Sequence, residues 1–245
     1  KVIMTPELSI DIQTKINTDI MMIFDECIKY PSDPHTTEKS MELSLVWAER
    51  SLKSNHLDKA LFGIVHGGMY PSLREKSREE LIKMNFDGYA LGGLSVGEPI
   101  DLMHEIISDN APMLPRNKPR YVMGIGKPLD IAYAVRSGVD MFDCVWPTRL
   151  ARHGTALTRE GRINLGAARY AKSEDPIDPY FLQSPASHWS RGYLRHLLSV
   201  GEPAAARLLT LHNLAWRFDM MQRMRDAISK GAFQQFRKEI LEIWG

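Results

Sequence analysis

Cysteine is nearly absent. The 245-residue chain holds two, Cys27 and Cys144, too few for a disulfide scaffold and in keeping with a reducing compartment. Long apolar runs are missing as well. None approaches the roughly 20 residues that span a bilayer and no signal-like leader opens the chain, so membrane insertion is not expected and a cytoplasmic location is. Nor does one charge dominate: 31 Lys and Arg against 30 Asp and Glu leave a formal net charge of +1. That excludes a uniformly basic nucleic-acid binder, and any such contact must come from local clustering. No Rossmann-type glycine fingerprint follows the first apolar segment, because Gly92-Gly93-Leu94-Ser95-Val96-Gly97 has the wrong spacing. What remains is an ordinary globular composition, long enough for one large α/β domain or two small ones. The first residue is Lys1 and Thr5-Pro6-Glu7 caps a helix at once, so the chain is expected to begin inside a larger protein.

Five apolar segments recur, each ending in a polar or glycine-rich cluster. They are Ile20 to Phe24, Leu61 to Val65, Gly88 to Leu91, Tyr121 to Met123 and Met141 to Val145. Helical stretches separate them: Ser40 to Leu52 has helical spacing, Ser72 with Glu75 has the signature of a capping box, and Pro128 opens a helix that Gly138 closes. Five such alternations predict parallel β/α units. From Pro176 onward the pattern is helical, with amphipathic stretches at Trp189 to Val200 and Pro203 to Lys230 and a last helix ending at Trp244. A closed eight-stranded barrel needs about 250 residues, so residues 20–149 supply only part of one. An open doubly wound sheet is the alternative.

One stretch concentrates chemistry. In Asp140-Met-Phe-Asp-Cys-Val-Trp-Pro-Thr-Arg149, a strand over Val139 to Val145 is predicted to be stopped by Pro147, leaving Asp143 on the carboxyl side of the sheet. Behind it the chain turns basic: Arg149, Arg152, Arg159, Arg162, Arg169 and Lys172 stand against the single acid Glu160. A carboxylate beside a cationic strip suits a substrate that carries both a reacting carbon and phosphates. Taken alone, an aspartate at a strand end is more often a cap than a nucleophile.

In this order, Phe24-Asp25-Glu26-Cys27 with Tyr30-Pro31, Phe62-Gly63-Ile64, Phe86-Asp87-Gly88-Tyr89-Ala90 running into Gly92-Gly93-Leu94 and Val96-Gly97-Glu98, Met123-Gly124-Ile125-Gly126-Lys127-Pro128, and Phe142-Asp143-Cys144-Val145 with Pro147-Thr148-Arg149 resemble the bacterial tRNA-guanine transglycosylases. The similarity covers essentially the whole chain and corresponds to the later two-thirds of the family protein. It implies an α/β fold, an irregular (β/α)8 TIM barrel here incomplete at its N-terminus. Residues 1–175 would be the partial catalytic barrel and 176–245 a C-terminal helical subdomain. It also implies an enzyme, a glycosyltransferase of queuosine biosynthesis that exchanges the wobble guanine of tRNA for a 7-deazaguanine.

By that resemblance Asp143 is the nucleophile that attacks the ribose anomeric carbon, in the manner of a retaining glycosidase. Asp25 accepts hydrogen bonds from the base, the main chain of Gly93 and Leu94 reads it, Met123 and Gly124 wall the pocket, and Cys27 and His66 complete it. Arg149 and Arg152 contact the anticodon. Lys127 either touches phosphate or decorates a helix start. Trp189, Tyr193 and His196, spaced i, i+4, i+7, read as a core-facing stripe from spacing and as a homodimer interface from the resemblance. A second family aspartate that moves protons in the exchange falls before the point matching Lys1.

Two positions depart from the family. Its zinc subdomain carries Cys-x-Cys-x-x-Cys and a later histidine. Here the run is Phe181-Leu182-Gln183-Ser184-Pro185-Ala186, and only His212 keeps a ligand position, so no metal or other cofactor is expected. His66 stands where the family has glutamine, which trades a carbonyl and an amide for one ring donor and one ring acceptor. Cys27 and Val96 match members that take preQ1, which favours preQ1 over queuine. The competing reading is a non-catalytic paralogue or partner subunit that binds tRNA or a catalytic subunit. A barrel glycosidase would want acidic pairs and sugar-stacking aromatics instead of an arginine strip.

Overall fold

The computed structural model describes residues 2–54 and 59–245. Packing divides them into two compact units, one reaching Ile125 and including Tyr133–Asp143, the other formed by Gly126–Ala132 and Cys144–Gly245.

The first unit opens with α1 (Pro6–Ile16), capped by Thr5, whose hydroxyl accepts from Leu8 N at 3.2 Å. Strand and helix then alternate: β1 (Ile20–Met22), α2 (Pro34–Lys53), β2 (Ala60–Val65), α3 (Pro71–Met84), β3 (Gly88–Leu91), α4 (Ile100–Asn110), β4 (Arg120–Val122), α5 (Pro128–Arg136) and β5 (Met141–Phe142). Many of these helices open on proline, whose fixed φ suits the first turn and whose missing N–H is no loss there. The strands form one parallel five-stranded sheet in the order β1-β2-β3-β4-β5, the curled half-barrel expected of an incomplete (β/α)8 fold. Sequential order with parallel pairing leaves each helix as the crossover. Both sheet faces are covered: Leu61, Phe62, Ile64 and Val65 are all essentially buried, as a parallel strand requires. Each contributes about 1.5–3 kcal/mol of transfer free energy.

Besides the start of α5, the second unit contains α6 (Trp146–Arg152), an antiparallel hairpin of β6 (Thr155–Thr158) and β7 (Gly161–Asn164), and α7 (Arg191–Ser199), α8 (Pro203–Ser229) and α9 (Phe233–Trp244). Its core includes Ala156, Leu165, Ile177, Ala186, Leu194 and Leu209. Gly126 is required here: a Cβ would sit 2.3 Å from the Cys144 Cβ. Arg217 of α8 donates to the Gly126 carbonyl, and its burial pulls the guanidinium pKa down to about 10.

Three local expectations change. The strand predicted over Val139 to Val145 pairs only at Met141–Phe142, because Pro147 starts α6 and does not simply end the strand. Arg149 and Arg152 therefore lie on a helix. Ser72 is not a cap: Tyr70 is the N-cap of α3, without a side-chain hydrogen bond, and Pro71 takes the first turn. The hairpin at 155–164 has no counterpart in the sequence pattern. Among the described residues, no helix is long and apolar enough to cross a membrane.

Candidate active site at the carboxyl rim of the half-barrel

Pairing in register places the site. Met22 opposes Phe62, Val65 opposes Leu91, Leu91 opposes Val122, and Val122 opposes Phe142. Asp25, His66, Gly92-Gly93, Met123-Gly124 and Asp143 follow those strand ends in turn. Five loops thus bring polar groups to one rim, the end of a parallel barrel where chemistry collects.

Asp143 is exposed, yet its carboxylate is fixed. The Tyr121 hydroxyl donates to Oδ1 at 2.6 Å and the Gly124 N–H donates to the same oxygen at 2.8 Å. Among the described residues no hydrogen bond falls on Oδ2, so one oxygen is anchored and the other faces outward. Tyr121 is held in its protonated, donating form: desolvation, then the hydrogen bond and the charge of Asp143, push its pKa above the usual phenol range. Sequence reasoning misses Tyr121. The available signal is strand alternation, which puts residues 121 and 123 on one face.

Across the rim Asp25 Oδ2 lies 2.7 Å from His66 Nε2. An ionised carboxylate is an acceptor only, so the imidazole carries its proton on Nε2, and in its neutral form Nδ1 is left as an acceptor. The His66 side chain is 5% exposed and that of Asp25 is 26% exposed, and the Ser77 hydroxyl accepts from the His66 N–H at 3.1 Å. The ring is a rigid prop for Asp25 as well as a wall. Cys27 adjoins them. Burial first, then the Asp25 charge, raise its thiol pKa, while a hydrogen bond from the Gly93 main chain opposes the rise.

The loop after β3 is shaped by sign of φ. Gly93 (φ +64°) and Ser95 (φ +59°) lie in the left-handed region, natural for the first and unusual for the second. Glu98 compensates by accepting from Ser95 N at 2.5 Å and Val96 N at 2.9 Å. A Cβ on Gly124 would be 3.9 Å from the Leu94 carbonyl oxygen, so the β3 and β4 loops adjoin. Beside them lies a cavity of about 230 Å³ whose lining includes Tyr30, Met41, His66, Gly93 and Val96. Asp143 is not part of that lining.

The family profile described as Queuine tRNA-ribosyltransferase matches residues 1–245. The chain belongs to that family. It is 50% identical over 238 residues to the Queuine tRNA-ribosyltransferase of Thiobacillus denitrificans, covering 96% of this chain and 65% of that protein. It is 45% identical over 243 residues to that of a Thermoanaerobacter species, with 98% and 65% covered. For the Nitrosomonas europaea protein the values are 50% over 238 residues, 96% and 64%. The chain therefore spans just under two-thirds of the length of these relatives.

In the second unit the residues expected to meet tRNA, Lys127, Arg149 and Arg152, are exposed. The basic strip beyond them is not uniformly free. Arg159 donates to Asp219 at 2.8 Å and lies over the Phe181 ring, and Arg169 stacks on Tyr170 with 4.8 Å to the ring centroid. Trp189, Tyr193 and His196 do not face a core: all are exposed, and the Trp189 and Tyr193 rings stack at 4.9 Å.

The family's zinc position is chemically different here. His212 is fully buried, with Nδ1 2.8 Å from the Ser184 hydroxyl and Nε2 2.8 Å from the Leu157 carbonyl oxygen. Both ring nitrogens are thus engaged. Burial keeps its pKa below the ordinary value. Phe181 meets the imidazole edge-on and Ala186 is core, while Gln183 is exposed. Such a donor set does not fit zinc, which takes thiolate, imidazole or carboxylate ligands in a tetrahedron. Among the described residues no group of three His, Cys, Asp or Glu could hold a metal ion.

Proposed function

We propose that this protein exchanges the wobble guanine of tRNA anticodons for a 7-deazaguanine, preQ1 ahead of queuine, by way of a covalent ribosyl ester on Asp143, as a step of queuosine biosynthesis in the cytoplasm. The observation that carries the reading is the Asp143 carboxylate, anchored through one oxygen by Tyr121 and Gly124 with the other turned outward. Residues 1–175 would then serve as the catalytic domain and 176–245 as its helical subdomain.

In the first step Asp143 Oδ2 bonds to C1′ of the nucleotide, the bond from C1′ to guanine N9 breaks with its electron pair going to N9, and N9 takes a proton from water. In the second step N9 of the incoming base gives its proton to water and bonds to C1′, and the ester oxygen is released as carboxylate. Two inversions retain the configuration. Asp25, propped by His66, accepts from the N–H edge of each base in turn, and the main chain of Gly93 and Leu94 reads the rest. Cys27, Met123 and Gly124 close the pocket. A non-catalytic subunit would have no use for two oriented carboxylates on one rim.

The direct test is incorporation of labelled guanine or preQ1 into tRNA by the full-length protein; absence of both would defeat the reading. Lys127, Arg149 and Arg152 supply the cationic contacts of tRNA binding. Arg149→Ala or Arg152→Ala should weaken binding and reduce the slope of log K against log salt by about one unit for each phosphate left without its arginine. An unchanged slope would remove these arginines from the interface. Exposed Trp189, Tyr193 and His196 form the mating surface of a homodimer in this reading.

We also propose that the subdomain folds without metal, with the links from Ser184 through His212 to Leu157 in place of zinc. Elemental analysis of protein purified without chelator should find well under one equivalent of zinc, and chelator should leave Tm unchanged. His212→Ala should cost about 2–3 kcal/mol of stability through unpaired partners and an unfilled cavity, without altering metal content. Stoichiometric zinc would overturn this.

A further inference from the structure

Arg74 carries a fully buried charge in the first unit. Its side chain is fully buried, and among the described residues it has no ion-pair partner and its Nη1 has no hydrogen-bond partner. Burial lowers its pKa to about 10, so it remains a cation at neutral pH. Glu98 attracts it electrostatically without forming an ion pair, so the cation is held away from water at a cost. Two bonds define what it does: Nε donates to the Gly68 carbonyl oxygen at 2.6 Å, and Nη2 donates to the Gly92 carbonyl oxygen at 3.0 Å. A neutral amide could pin a carbonyl as well, so the charge itself needs a use.

The use lies in the peptide between Gly92 and Gly93. In a trans peptide the C=O and N–H point in opposite directions. With the Gly92 carbonyl held against Arg74, the Gly93 N–H is turned to the other face. That face is the site: Gly93 lines the cavity with His66, whose Nε2 lies 2.7 Å from the Asp25 carboxylate. A cation at the oxygen end of a peptide draws density toward that oxygen and makes the N–H a stronger donor.

We propose that Arg74 is a positioning residue for base recognition, a buried cation that fixes and polarises the Gly92-Gly93 peptide so that the Gly93 N–H donates to a lactam carbonyl oxygen of the bound heterocycle. This rests on the base-exchange reading above and adds the determinant of one polar contact in it. Arg74 touches no reacting atom. It acts through the peptide it holds, and its effect is specific to ligands that carry the carbonyl oxygen.

Guanine and 2-aminopurine, which lacks that oxygen, separate this from general support of the fold. Their affinities are compared in the full-length protein, in Arg74→Lys, which keeps the charge but cannot reach both carbonyls, and in Arg74→Gln, which loses the charge. The preference for guanine over 2-aminopurine should fall roughly tenfold or more in both variants, with 2-aminopurine affinity within about twofold of wild type and tRNA affinity unchanged. Equal weakening of both bases, or an unchanged preference, overturns the proposal. Should neither variant fold, the Gly93 amide proton of the wild-type protein decides: a downfield shift on adding guanine but not 2-aminopurine supports it, and an unmoved resonance overturns it. A wild-type protein that binds neither base defeats the base-exchange reading itself, and this inference with it.

Discussion

Asp143→Asn should eliminate the denaturant-stable adduct that the full-length wild-type protein forms on an anticodon stem-loop in the presence of an exchange-inert base. The substitution is nearly isosteric. Asparagine's carbonyl oxygen can still accept from Tyr121 and Gly124, the two donors that hold Oδ1, so the rim should keep its shape and Tm should change little. What disappears is the anionic oxygen proposed to form the bond to C1′. An amide nitrogen is no substitute, because its lone pair is delocalised. Exchange should fall by roughly 10³-fold or more, as removal of a covalent nucleophile does elsewhere. Denaturing electrophoresis reads the adduct directly. An adduct that survives in the Asn variant places the nucleophile on another residue.

Asp25→Ala should abolish base exchange while leaving tRNA affinity within about twofold. A pocket built to hydrogen-bond a polar edge loses far more when a partner is removed than an apolar pocket does. The variant also leaves the His66 Nε2 proton without its acceptor 2.7 Å away, at a cost of about 1–3 kcal/mol in stability, so Tm is measured alongside. Exchange kinetics and filter binding on the same preparation separate the two functions. If Asp25→Ala weakens tRNA binding as much as Arg149→Ala does, the division between base pocket and tRNA surface is wrong, and the chain is better described as a binding subunit.

Much of the architecture is legible in the sequence because local and long-range signals agree. Gly88 to Leu91 reads as a strand with the bounds it has, since Asp87 and the Gly92-Gly93 pair punctuate it on both sides. Around Asp143 the signals conflict. Apolar alternation runs on through Val145, but Pro147 is compatible with a strand end or a first helical turn, and packing selects the helix. Ser72 has the spacing of a capping box, yet Pro71 fixes the helix start two residues earlier than that cap would.

Residues acting through distant partners are the least visible. Arg159 counts as part of a free basic strip in the sequence, and its pairing with Asp219, 60 residues on, depends on how the second unit packs. Arg74 is hidden more deeply. Arginine on a helix among charged neighbours, as in Arg74-Glu75-Lys76, reads as solvated surface, and only the fold reveals that this one faces inward. Trp189 and Tyr193 err the other way, since helical spacing of aromatics suggests a core and the chain leaves both exposed.

The single-oxygen anchoring of Asp143 bears on the energy of the intermediate. In the proposed exchange Oδ1 would become the ester carbonyl once Oδ2 bonds to ribose, with Tyr121 and Gly124 still aimed at it. Both donors bind a full anion more strongly than an ester oxygen, so they favour expulsion of the carboxylate over its attack. By microscopic reversibility the same bias acts on departure of the first base and entry of the second. An exchange between two similar bases has almost no net driving force, and it turns over only if the ester between them is not a thermodynamic sink. In the proposed mechanism two hydrogen bonds on the non-bonding oxygen would level that intermediate against the free enzyme.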